Sequence, residues 1–327
     1  MEKQLKLKNT ITDISKREKK KNRSCFFEGC NEKVINSHLL QRNGILDQLA
    51  VDHHLYILGM VDAFQIKRPS DNMLQFQKMG IREGMTLQLF CNKHDTEIFK
   101  PIESEGCNYY DYKTQLLFSY RSVCGELRKK QIQADIHGAI VNNTMIRAEM
   151  LPQSLERIED FLYGFMLGIQ DLEWYKKEIE NDLYGDEQSP RFSFITVETP
   201  NLDVCTSSIF SPVDYVMDDS NKEDSLDSIV LNIFPKNQKN IVICGYHNQH
   251  KNDWIIEFTN SWNTLTDDEL QKRVSNILIK RCETWAISPR LYDELSPEKR
   301  NLILLEFQAD VMSHDQNLNT EINIFRN

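Results

Sequence analysis

Two short stretches far apart in the chain have to meet if either is to make chemical sense. The first is Cys25-Phe-Phe-Glu-Gly-Cys30; the second is Phe90-Cys91-Asn-Lys-His94-Asp95. Each offers a close pair of metal-seeking side chains, Cys25 with Cys30 and Cys91 with His94. Thiolate sulfur and imidazole nitrogen, supplied as two pairs, are what a tetrahedral zinc ion takes from a polypeptide. The fold must therefore carry the chain out of the first turn and return it to the second. That requirement makes residues 24–105 a module closed around a structural Zn²⁺.

Cysteine usage supports a metal over disulfides. Of the 8 cysteines, Cys124, Cys205, Cys244 and Cys282 lie singly inside apolar segments, where a free Cys behaves as a small hydrophobe. Cys107 sits in a polar loop. Close Cys/His pairs in a reducing compartment read as metal ligands. With 40% hydrophobic and 27% charged residues, the 327-residue chain can build a core and stay soluble. No apolar run reaches the roughly 18–20 residues of a membrane helix. Met1 to Arg23 lacks the apolar centre of a secretory signal. The expectation is a cytoplasmic protein with no membrane partner.

The net charge of −10 is unevenly spread. Residues 1–23 carry nine Lys/Arg against three Asp/Glu, about +6, which leaves about −16 for the rest. Such a basic arm can meet nucleic-acid phosphates without reading bases; as a solvated tail it does nothing more than repel like charge. Phosphate-cradling and nucleophile-elbow signatures are missing, and 12 glycines leave little material for a Gly-rich loop.

Hydrophobic periodicity divides the remainder. A short strand over Lys33–His38, a short helix over Ile45–Val51 and a strand over His54–Met60 precede a loop at Pro69–Met73. Met85–Phe90 leads into the second ligand pair, and a helix starts at His94. Residues 106–185 are helical. Leu116, Leu117, Tyr120, Val123, Cys124 and Leu127 mark one stripe over Tyr112–Gln133; Leu155, Ile158, Leu162, Phe165 and Ile169 mark another over Ser154–Leu183. Residues 186–327 read as an α+β domain. Its strands fall at Arg191–Val197, Val204–Phe210, Ser228–Phe234, Ile241–Tyr246 and Trp254–Phe258, with an acidic loop at Asp218–Asp227. Helices over Thr266–Trp285 and Ser296–Met312 close the chain, opened by the caps Thr266-Asp-Asp-Glu269 and Ser296-Pro297-Glu298, before a polar tail that frays.

A cysteine pair, a strand bearing Ile35-Asn-Ser-His38, and Phe90 to Asp95 followed by Phe99-Lys-Pro-Ile-Glu103 together resemble the zinc-stapled HNH nucleases. They also resemble an uncharacterised bacterial family with the pattern C…C…SH…FCxxHD. The likeness covers residues 24–105. It implies an N-terminal treble-clef or ββα zinc module; with the periodicity of the remainder, the expected fold is an α+β protein with that module, a helical middle, and a C-terminal antiparallel or mixed sheet flanked by helices. It further implies catalytic roles for His38 as general base and for Asp95 as ligand of a hard divalent ion, Mg²⁺ or Mn²⁺. The chain departs from the family at Ser37, where an acidic residue or His is usual. Read without the likeness, His38 is equally an additional zinc partner or a buried His bonded to backbone. Asp95 is equally a helix N-terminal charge or a carboxylate orienting His94. Glu103 is a site residue or a surface charge, and His247 with His250 read as a polar hairpin end. The function expected is an HNH-like, metal-dependent nuclease or a nuclease-derived protein, acting on DNA in defence against phage or other foreign DNA. The alternative is a zinc-stapled interaction or sensor protein whose C-terminal sheet domain binds a protein partner.

Overall fold

A computed structural model describes residues 2–60, 74–185, 189–212, 227–313 and 318–326. Helix α1 (Glu2–Lys19) opens the chain. It is amphipathic: Leu7, Ile11 and Ile14 face a small cluster with Ile136, Ile140 and Ile146. Arg23, just past its end, pairs with Asp135 at 2.5 Å. The basic segment is thus a docked helix and not a loose arm.

The Cys25–Cys30 turn uses Gly29 at φ +72°, a left-handed conformation in which a Cβ is costly. Strand β1 (Val34–His38) follows, and then a π-helical turn over Arg42–Leu46 running into α2 (Asp47–Leu49), which buries Ile45, Leu46 and Leu49. A hairpin of β2 (His54–Met60) and β3 (Leu74–Gly80) comes next; the predicted Pro69–Met73 loop lies outside the described residues. Strand β4 (Thr86–Cys91) returns antiparallel to β1, with Val34 opposite Cys91 and His38 opposite Thr86. It passes without a break into α3 (Asn92–Glu103).

Helix α4 (Tyr112–Val141) is the axis of the molecule. Asp111 caps it by accepting the Thr114 N–H, and every residue from Thr114 to Arg128 is buried. It continues well past the Gln133 end expected from the apolar stripe. At Gly125 a Cβ would come within 2.6 Å of Leu39 Cδ2, so glycine permits α4 to lie directly against the chain after β1. A short α5 (Thr144–Glu149) then leads to α6 (Pro152–Tyr184), which packs back along α4 as a helical hairpin.

Strands β5 (Phe192–Pro200), β6 (Val204–Phe210), β7 (Ile229–Lys236) and β8 (Lys239–His247) follow. Asn237 and Gln238, at φ 52° and 64°, make the tight β7–β8 turn. The acidic Asp218–Asp227 loop lies outside the described residues except for Asp227. The expected strand at Trp254–Phe258 is instead α7 (Asp253–Asn260). Asn252 caps it through the Ile255 N–H, and Ile255, Phe258 and Trp262 recur at helical spacing on the buried side, which alternation alone does not reveal. Helix α8 (Asp267–Lys280) has the full capping box of Thr266 and Glu269. It stops short of Trp285, which belongs to β9 (Trp285–Ile287). Helices α9 (Pro289–Glu294) and α10 (Pro297–Ser313) complete the fold. The tail does not fray throughout: Ile324 is buried, and its N–H donates to Ser275 Oγ at 2.9 Å.

The protein is α+β, with a seven-stranded sheet in the order β3-β2-β9-β6-β7-β8-β5 and a separate β1–β4 pair. Every described pairing is antiparallel. The β2–β3 hairpin, from within residues 24–105, joins strands from residues 186–327 through β2–β9 pairing. Among the described residues no helix is long and apolar enough to cross a membrane.

Candidate metal centre

The turn from Cys25 to Cys30 is held to β4 by the Phe26 N–H, which donates to the Leu89 carbonyl at 3.0 Å. From the other side, Arg128 on α4 lies 4.1 Å over the Phe26 ring and donates to the Ser24 carbonyl at 2.7 Å. Cys91 is the last residue of β4 and the N-cap of α3, so His94 sits in the helix's first turn. The sheet-to-helix junction thereby aims a thiol and an imidazole at the same point.

All four side chains singled out by spacing come together. The ligand atoms of Cys25, Cys30, Cys91 and His94 lie within 4.8 Å of one another, and the group could hold a metal ion. Cys30 Sγ is 3.8 Å from Cys91 Sγ, and His94 Nδ1 is 3.5 Å from Cys25 Sγ and 3.4 Å from Cys91 Sγ. Phe27 stacks on the His94 ring at 4.0 Å and fixes its plane. The thiols are inequivalent. Burial pushes Cys25 up to about 11. Burial also acts upward on Cys91, but the backbone N–H of His94 and neighbouring donors outweigh it and lower the thiol, as expected for sulfur at a helix N-terminus. Metal capture by this set releases protons, since thiolates are the ligating form.

His38 stands outside the four-residue group, at the end of β1. Its Nε2–H donates to the Ile81 carbonyl at 2.8 Å. A carbonyl can only accept, so the proton is on Nε2 and the Nδ1 lone pair is left for other work. Burial lowers the His38 pKa; the Ile81 bond opposes this, and the positive charges of Arg121 and Arg42 reinforce it. Asp95 is near enough for its charge to act upward on the same imidazole. The Asp95 Oδ1 is buried with no hydrogen-bond partner among the described residues. Ser37 points to the other side of the strand, buried, with its Oγ accepting the Phe90 N–H at 3.3 Å.

Glu103 accepts from Arg121 at 2.8 Å, and the Arg121 guanidinium lies 3.9 Å over Phe99. Arg121, Arg128, Lys129 and Lys130 therefore do not form an open basic face; Arg121 and Arg128 are buried, and Lys129 and Lys130 pair with Glu126 and Glu283. Two features of the His38 surroundings escape the sequence: the Ile81 carbonyl, which no pattern marks, and Arg121. A charged residue inside the apolar stripe of α4 was the available signal for the second. His247 and His250 meet Glu178 at 3.5 Å and Asp227 at 3.9 Å from other elements. Cys205 is fully buried and burial raises its thiol, in keeping with a cysteine that packs as a small hydrophobe.

Comparison of the chain with known protein families, with curated proteins and with solved structures found no match.

Proposed function

We propose that residues 24–105 form a treble-clef, ββα-type zinc module of the HNH class, and that the protein is a metal-dependent nuclease, or derived from one, acting on DNA. The order of parts supports the module: a ligand-bearing turn, the antiparallel β1–β4 pair, then a helix whose start supplies the remaining ligands. Zinc is supported by distances. Bonds of about 2.3 Å to sulfur and about 2.0–2.1 Å to nitrogen in a tetrahedron require S···S edges of about 3.8 Å and S···N edges of about 3.6 Å. Three of the six edges, at 3.8, 3.5 and 3.4 Å, match these lengths, and all four ligand atoms lie within 4.8 Å of one another.

The observation that carries the catalytic reading is His38. Its Nε2 proton is committed to Ile81, its environment keeps it neutral, and it lies in the field of a carboxylate with an unpartnered buried oxygen. A neutral imidazole with a free Nδ1 is a competent base for a water that attacks a phosphodiester. Asp95 is the residue that would hold a hard divalent ion, Mg²⁺ or Mn²⁺, and such an ion supplies charge stabilisation at the scissile phosphate when bound. Arg42 and Arg121 add positive potential around the base. Reduced zinc thiolates suit the cytoplasm, and defence against foreign DNA is a process this chemistry fits.

A second reading keeps the zinc and drops the catalysis, leaving a stapled interaction protein whose sheet domain binds a partner. It is favoured by Ser37, which occupies a family site position yet spends its hydroxyl on the Phe90 N–H. Plasmid cleavage with and without Mn²⁺ separates the two. His38→Ala is expected to lower divalent-dependent cleavage about 10²–10⁴-fold with zinc content and melting temperature unchanged. A wild-type protein that cleaves no DNA or RNA, with His38→Ala melting earlier, overturns the nuclease reading.

A further inference from the structure

On elements that contribute nothing to the metal centre, α7 and α8 border a cavity of about 540 Å³. That size falls within the range of small-molecule sites. Trp254 lines it and is 39% exposed, an unusual position for the largest apolar side chain. Phe258 stacks against the indole at 4.8 Å, with ring planes 18° apart, so Trp254 is held as a rigid shelf. Arg273 also lines it, its guanidinium 5.1 Å from the Phe258 ring and 5.3 Å from that of Trp262. Its Nη1 donates to Ser261 Oγ at 2.9 Å and to the Phe258 carbonyl at 3.3 Å, while Nη2 has no partner among the described residues.

The chemistry of the walls narrows the occupant. Three carboxylates and three cationic side chains line the cavity, so it offers both hydrogen-bonding senses without a net charge to select an anion. An aromatic shelf selects a planar ring, because stacking is indifferent to ring substituents. Arg273 Nη2 supplies a donor and the exposed Glu257 an acceptor for the ring's edge. We infer that this cavity is a binding site for an uncharged, planar heteroaromatic ligand with donors and acceptors on its edge, of the nucleoside class, stacked on Trp254.

Isothermal titration of the zinc-loaded full-length protein with adenosine, guanosine, cytidine and uridine tests the inference, with ribose as the non-aromatic control. At least one nucleoside should bind saturably, and ribose should not. Trp254→Leu, at an exposed position, should weaken binding about tenfold or more, and Glu257→Gln should alter the ranking of the four bases. Zinc content and far-UV circular dichroism of both variants confirm that they fold. No binding of any nucleoside, unchanged affinity in Trp254→Leu, or a monophosphate that binds more than tenfold tighter than its nucleoside would each overturn it. None of these outcomes bears on nuclease activity.

Discussion

The same substitution at two helix-interior glycines is expected to have opposite effects. Replacing Gly by Ala inside a helix gains about 0.5–1 kcal/mol, because glycine loses more backbone freedom on folding. Gly164 on α6 has nothing within 4 Å of its Cβ position, so Gly164→Ala collects this gain in full. Gly125 on α4 is different: its Cβ would sit 2.6 Å from Leu39 Cδ2, and Leu39 is itself 1% exposed. Overpacking of a filled core costs about 1–3 kcal/mol. Set against the propensity gain, Gly125→Ala should destabilise by up to about 2 kcal/mol. Thermal unfolding of both variants by circular dichroism reads the difference. For a chain of this size, about 1 kcal/mol corresponds to a midpoint shift of about 2 °C. Gly164→Ala should move up and Gly125→Ala down by up to roughly twice that amount. A Gly125→Ala protein that melts above wild type would refute the claim that α4 depends on close approach to the segment after β1.

Cys91→Ala should abolish metal binding, taking zinc from one ion per chain to none by elemental analysis of protein purified under reducing conditions; wild type without zinc would remove the basis of the site. His137 is held below its ordinary pKa, first by burial, with the Gln133 carbonyl opposing. The unfolded chain therefore takes up this proton before the folded one does, and stability falls as pH drops from about 6.5 toward the folded pKa. Urea midpoints at pH 7.5 and 5.5 should fall more for wild type than for His137→Phe, and equal losses in the two proteins would contradict the assignment.

Local chemistry made part of this molecule legible in advance. The four metal-seeking side chains announced themselves because ligands must come in close pairs, and the Thr266 cap because a helix start needs an acceptor and a returning Glu. Strand β6 matched its expected bounds since a β-branched, aromatic-flanked run has few alternatives. What failed depended on distant contacts. Trp254 to Phe258 suits either period, and packing of Ile255 and Phe258 beneath the sheet decides for a helix. The short strand Trp285–Ile287 exists only because β2 and β6 flank it on both sides. Around His38, the residue itself was visible, whereas its Ile81 acceptor was a main-chain atom and carried no side-chain signature.

The pairing of Tyr56 with Ile287 and of Ile57 with Ala286 has a consequence for how the chain comes into being. Strand β2 is held from one side by β3, a neighbour in sequence, and from the other by residues about 230 positions downstream. On a ribosome adding about 5–20 residues per second, the hairpin waits on the order of ten to fifty seconds for β9 to be made. Throughout that interval one edge of β2 presents unpaired N–H and C=O groups, and Leu58 lacks the downstream residues of its core cluster. Early capture of zinc by Cys25, Cys30, Cys91 and His94 would gather the chain on either side of the waiting hairpin long before the sheet can close. The ion would then act first as an assembly clamp, and chelation during synthesis should harm yield more than chelation of the finished protein.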